Sequence, residues 1–151
     1  GNSISSTSIR LALKAGDMAN ANNWLGAPYL LTGPVVHGDA LGRELGFPTA
    51  NLSIEEHKLV PADGVYAART NVNGKHYLAG LSIGSKPTIS EEGKRTIEAV
   101  LIDFEGDLYG QTLSLECLRY LRPQEKYPTL DALKAAIAND VFVIKSLDLS
   151  L

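Results

Sequence analysis

The run Val65-Tyr66-Ala67-Ala68-Arg69-Thr70-Asn71-Val72-Asn73-Gly74-Lys75-His76-Tyr77-Leu78-Ala79-Gly80-Leu81-Ser82-Ile83 sets two apolar segments on either side of Asn73-Gly74. An Asn-Gly pair suits a two-residue turn with positive φ at both positions, so the run predicts a hairpin with strands over 65–72 and 75–83. Downstream, Arg95 to Phe104 and Gln111 to Leu121 read as two more strands, with Glu105-Gly106-Asp107 as a second expected hairpin connection. Tyr127-Pro128-Thr129 opens a helix in which Leu130, Leu133, Ile137, Val141 and Ile144 recur as one apolar stripe. Upstream, residues 5–25 read as two short helices. Ser5, Ser6 and Thr7 are N-cap candidates, Gly16-Asp17 is the break, Met18 to Leu25 is the second helix, and Gly26-Ala27-Pro28 is a linker before strands begin at Tyr29. The expected fold is mainly β: a small antiparallel Greek-key barrel with a C-terminal helix, preceded by a short helical N-terminal appendage. In such a barrel the loop-rimmed mouth is the expected ligand position.

Composition narrows the function. At 151 residues, 44% of them hydrophobic, the chain is long enough for one compact domain with a core. A formal charge of −3 offers no general attraction to nucleic acid or to an anionic membrane. No apolar run approaches the roughly 20 residues of a membrane span. The single cysteine, Cys117, excludes an internal disulfide and a Cys-based zinc site, which makes a cytoplasmic setting the simplest account. Its alternation with Leu113 and Leu115 predicts a buried apolar role rather than a reactive thiol.

Glycines at 33, 38, 42 and 46 crowd the segment before Pro48-Thr49-Ala50-Asn51. Glycines let backbone N–H groups approach a ligand closely, and they also mark ordinary turns and bulges. Gly33 and Gly38 have the spacing of a P-loop, but Asp39-Ala40 stand where Lys-Ser/Thr is required, so a nucleotide site here is built differently. Thr49 and Asn51 lie two apart, on one face of an extended chain, and suit a phosphate–magnesium site.

Glu98 sits within Thr96-Ile97-Glu98-Ala99-Val100-Leu101-Ile102. Period-2 alternation puts it on a face with Thr96, Val100, Ile102 and Phe104, where partial desolvation would make it a better proton acceptor; the plain alternative is a solvent-facing strand residue. Asp103, Glu105 and Asp107 read as solvated turn residues. His37, His57 and His76 are too scattered for a metal-ligand pattern. Arg119 and Arg122 with Tyr120 and Tyr127 look superficially like an RNA-binding patch, against which the overall acidity argues.

Gly46-Phe47-Pro48-Thr49-Ala50-Asn51, after Val35-Val36-His37-Gly38, resembles the riboflavin kinase family. Pro61-Ala62-Asp63-Gly64-Val65-Tyr66-Ala67, Ile83-Gly84-Ser85-Lys86-Pro87-Thr88, Arg95-Thr96-Ile97-Glu98, Asp107-Leu108-Tyr109-Gly110 and Leu121-Arg122-Pro123 match that family in order. Ile4-Ser5-Ser6-Thr7-Ser8-Ile9-Arg10 is similar to a nucleotidylyltransferase signature that closes the first domain of bacterial bifunctional FAD synthetases. The resemblance implies that residues 1–27 are the last helices and linker of an adenylyltransferase domain, and that 28–151 are a kinase domain whose partner domain precedes it. It implies transfer of the ATP γ-phosphoryl group to riboflavin, giving FMN and ADP, with no FMN adenylylation from this segment.

By the same resemblance, Gly38, Arg43, Thr49 and Asn51 bind the nucleotide, Thr49 and Asn51 hold Mg²⁺, and Glu98 is the catalytic base. Arg122 and Tyr127 contact the flavin. Three departures stand out: Ser82 replaces the usual Asn, Ala99-Val100 replaces a pair that commonly includes His, and Gln124-Glu125 replaces the usual Glu-Lys. The competing expectation is a module that binds flavin or nucleotide, or serves assembly, without turnover.

Overall fold

The computed structural model describes residues 6–36, 49–54, 59–85, 95–104, 106, 108–125 and 127–147. Two helices, α1 (Ser6–Ala15) and α2 (Met18–Leu25), precede six strands: β1 (Tyr29–Val36), β2 (Thr49–Leu52), β3 (Gly64–Val72), β4 (Lys75–Ser85), β5 (Arg95–Leu101) and β6 (Thr112–Arg122). Helix α3 (Leu130–Ser146) follows. The strands close into an antiparallel barrel in the order β1-β2-β5-β4-β3-β6.

The Asn-Gly hairpin forms as expected. Asn73 and Gly74 take φ of 52° and 86°, and β3 pairs with β4 along the whole of β3 from Gly64 opposite Ile83 to Val72 opposite Lys75. The second expected hairpin does not form. β5 lies between β2 and β4, whereas β6 lies between β1 and β3, so the segment through Gly106 carries the chain across one end of the barrel. Turn-forming residues mark a change of direction; they do not say which strand the chain joins next. Leu108 from this crossing is buried in the core, and Phe104 meets Tyr77 edge-on at 5.3 Å.

Alternate residues of each strand, among them Leu31, Ala50, Ala68, Leu81, Ala99 and Leu115, point inward and are fully or almost fully buried. Cys117 is buried with them, as its alternation predicts. The opposite end is covered by α1 and α2, which place Leu13 and Met18 in the same apolar cluster. Asp17 caps α2 by accepting from the Asn20 backbone N–H at 3.2 Å. Asn22 ties α2 to two strands, donating to the Cys117 carbonyl at 2.7 Å and accepting from the Tyr29 N–H at 2.9 Å. Of the N-cap candidates, Ser6 and Thr7 fall inside α1 and Ser5 lies outside the described residues.

Helix α3 docks on the outside of the barrel. Thr129 caps it, its hydroxyl accepting from the Ala132 N–H at 3.1 Å. The predicted stripe then meets the wall: Ile144 is buried against Ala67 and Ile102, with Val141 packed beside them. This places the helix along the outer face of β4.

Candidate active site

The barrel register assembles the site. Asn51 of β2 lies directly opposite Glu98 of β5, and Glu98 lies directly opposite Ser82 of β4. Direct cross-strand partners carry their side chains on one face, with Cβ atoms about 4.5–5.5 Å apart. Ile97 and Ala99 flank Glu98 in sequence and are buried inside, so this row of amide, carboxylate and hydroxyl stands on the outer face. All three residues are half-buried.

The apolar face expected around Glu98 reaches Ile102, which packs against α3 on the outside of the barrel, but not Phe104. Strand β5 ends at Leu101, and Asp103 takes a φ of 62°. Beyond that bend Phe104 turns to the interior cluster, where its ring meets Tyr77. On the outer face Glu98 thus stands with Asn51 and Ser82 across the strands and with Val100 and Ile102 along its own line. Asp103 is exposed, as expected, 3.4 Å from the Lys145 ammonium.

Thr49 stands two residues before Asn51, in register with Val100. Gly38 and Arg43, with Gly42, Gly46, His37 and His57, lie outside the described residues. Gly33 does not belong to a ligand loop. It is inside β1, opposite Leu113, and a Cβ there would lie 2.1 Å from the Ser53 carbonyl oxygen. Its role is to let the backbone after β2 press against β1, where the Ser53 N–H donates to the Pro34 carbonyl at 3.0 Å.

Arg122 and Tyr127 come together at the exit of β6, the guanidinium carbon 5.9 Å from the ring centroid. Arg122 donates through Nε and Nη2 to the two carboxylate oxygens of Asp140, both at 2.8 Å, and through Nη1 to the Pro123 carbonyl at 3.3 Å. The hydrogen-bonded Asp140 carboxylate holds the guanidinium above the usual arginine value, against the opposing pull of burial. This forked pair fastens α3 to β6.

Asp140 is an acidic residue in mid-helix, and nothing in the sequence around it marks it for this role. Ser82 and Gln124 stand out in the sequence only as separate departures from a family pattern. They touch: Gln124 Nε2 donates to Ser82 Oγ, and also to the Ile83 carbonyl at 3.2 Å. Among the described residues no cluster of three or more His, Cys, Asp and Glu could cage a metal. The oxygen donors in the row fit a Mg²⁺ that arrives with phosphates and keeps its waters, because that ion typically takes only one or two protein ligands.

The riboflavin kinase family model matches residues 25–147. The chain belongs to the riboflavin kinase family. It is 39% identical over 137 residues to a bifunctional riboflavin kinase/FMN adenylyltransferase of Listeria monocytogenes, a match covering 91% of this chain and 44% of that protein. The chain spans about half the length of the curated relatives it matches. The solved riboflavin kinase of Trypanosoma brucei superposes with a TM-score of 0.54 at 27% identity, covering 78% of each chain. A solved structure named as a macrolide-efflux protein from Streptococcus pneumoniae superposes with a TM-score of 0.89 at 36% identity, covering 96% of this chain and 47% of that one. Among the described residues no helix is long and apolar enough to cross a membrane. Family membership makes the domain a kinase-type enzyme.

Proposed function

We propose that this chain transfers the γ-phosphoryl group of ATP to the 5′-hydroxyl of riboflavin, giving FMN and ADP. The observation that carries the reading is the pairing of Asn51 with Glu98 across β2 and β5 in a member of the riboflavin kinase family. Phosphoryl transfer asks mainly for alignment and for stabilisation of charge on the transferring oxygens. In this reading Glu98 accepts the proton of the ribityl hydroxyl as its oxygen bonds to the γ-phosphorus and the bond to the ADP oxygen breaks. Thr49 and Asn51 hold the Mg²⁺ and the phosphates, and Mg²⁺ when bound supplies charge neutralisation there. Gly38 and Arg43 contact the nucleotide, Arg43 with forked donors suited to phosphate oxygens. Tyr127 offers an aromatic edge or face to the isoalloxazine ring, and Arg122, fastened by Asp140, lines the flavin side.

Residues 1–27 are proposed as the closing helices and linker of an adenylyltransferase domain, a reading supported by the bifunctional names and greater length of the relatives. FMN adenylylation is not expected from this segment.

Incubating the chain with riboflavin and Mg·ATP and separating the flavins by chromatography tests the function. FMN without FAD is the expected product. Flavin binding with no FMN would replace the kinase by a binding or assembly module.

A further inference from the structure

Among the described residues Asp140 is the only buried charged side chain. Taking a carboxylate out of water costs free energy, and a well-packed apolar side chain would often hold a helix as firmly. Ile144, four residues on and so on the same face of α3, already does that against Ala67 and Ile102. What the carboxylate adds is direction. Both of its oxygens accept from the Arg122 guanidinium at 2.8 Å, which fixes the plane of that group. With the Nη1 bond to the Pro123 carbonyl at 3.3 Å, one hydrogen on Nη1 and one on Nη2 remain without a partner among the described residues. The pair also joins the two ends of the segment that carries Tyr127. That segment leaves β6 at Arg122, is tied to β4 where Gln124 donates to the Ile83 carbonyl, enters α3 at the Thr129 cap, and returns to Arg122 through Asp140. Within it the Tyr127 ring lies 5.9 Å from the guanidinium carbon.

We propose that Asp140 is a positioning residue for riboflavin: acting through Arg122, it holds the guanidinium plane and the Tyr127 ring where they meet the isoalloxazine. This role rests on the riboflavin kinase reading. A guanidinium whose charge is already matched by a buried carboxylate is poorly suited to hold a phosphate. Its two remaining hydrogens suit neutral carbonyl oxygens at a ring edge instead. The two substrates are thereby treated separately: α3 sets the affinity for the flavin, through Asp140 and Arg122, and leaves that for ATP to other elements.

The test is steady-state kinetics of FMN formation on the whole chain, beside urea unfolding of each variant. Asp140→Asn keeps the volume and removes the charge; it raises the KM for riboflavin roughly 10-fold, the size expected for losing one charge-assisted bond. The KM for ATP and kcat at saturating riboflavin stay within about twofold of the parent. Arg122→Lys keeps a charge and loses the fork; it raises the riboflavin KM as well, and in its background Asp140→Asn adds no further rise. Glu116→Gln is the structural control. It breaks a similar carboxylate pair, with Arg69, about 20 Å away along β6, and lowers the urea midpoint without moving the riboflavin KM. A riboflavin KM unmoved in Asp140→Asn, an equal rise in Glu116→Gln, or additive effects of Asp140→Asn and Arg122→Lys overturns the positioning role and leaves the kinase reading standing. If Asp140→Asn does not fold, an unmoved riboflavin KM in Arg122→Lys overturns it alone. If the parent makes no FMN the kinase reading falls, and riboflavin dissociation constants from fluorescence quenching decide Asp140 with the same variants; a parent that binds no riboflavin overturns both.

Discussion

The inside of the barrel and its outer face are built from alternate residues of the same strands, yet they differ in every physical respect. Inside, Ala50, Ala99 and Leu81 fill the space with small and branched apolar groups at 1%, 0% and 0% exposure. Outside, one residue away on each strand, Asn51, Glu98 and Ser82 stand in a half-buried polar row. Among the described residues the six-stranded barrel has a packed interior, with α1 and α2 on one side and Leu108 buried on the other. In the proposed function the chemistry belongs on the wall. On that wall α3 packs along β4, and Gln124 from the segment before it reaches back to the Ile83 carbonyl.

If that division of labour holds, substitutions in the row change turnover and substitutions inside change stability. The largest effect is expected at Glu98. Glu98→Gln should lower kcat by roughly 10²–10⁴-fold, the usual worth of a general base, while riboflavin binding and thermal stability stay close to those of the parent. Steady-state kinetics beside fluorescence titration would show it, and undiminished turnover would remove Glu98 from the mechanism. Next comes Leu81→Ala, which empties a fully buried position one residue from Ser82. It should cost about 2–5 kcal/mol in urea unfolding, with kcat/KM of the folded fraction preserved. A selective loss of kcat with unchanged stability would break the comparison.

Gly33→Ala sharpens it from the other side. A methyl group 2.1 Å from the Ser53 carbonyl must push β1 and the chain after β2 apart, at a cost of about 1–3 kcal/mol. If stability is untouched and the KM for ATP rises instead, Gly33 returns to the nucleotide loop. The smallest effect concerns Tyr29, whose hydroxyl donates to the Leu59 carbonyl at 2.5 Å. Burial, and after it the neighbouring Cys117, push this phenol above its ordinary value. The unfolded chain therefore releases the proton first as pH rises past about 10, so the stability due to Tyr29 is complete below that pH and is lost above it. Tyr29→Phe should cost about 0.5–1.5 kcal/mol at neutral pH and flatten the alkaline fall. Urea midpoints measured from about pH 8 to about pH 11, a range that brackets the ordinary tyrosine value, check both.

Local features of this fold are legible in the amino-acid order. Asn73-Gly74 names its own turn, Thr129 and the spacing from Leu130 to Ile144 specify a capped amphipathic helix, and alternation around Cys117 places it inside. Each rests on interactions within a few residues or on the period of a single element. The site is legible only in pieces. Glu98 and Asn51 are recognisable by their motifs, but their being side by side is not. Nor is the contact of Ser82 with Gln124, which are 42 residues apart.

The sequence by itself determined the hairpin, the helices, the inward and outward faces of each strand, and the family. The tertiary structure alone decided that β5 joins β2 and β4 rather than β6, and with it the row from Asn51 through Glu98 to Ser82. The reason is that alternation tells which way a side chain points from its own strand and is silent on which strand lies alongside. Partners are chosen when the whole barrel closes, where register, buried area and the entropy of every loop are satisfied together.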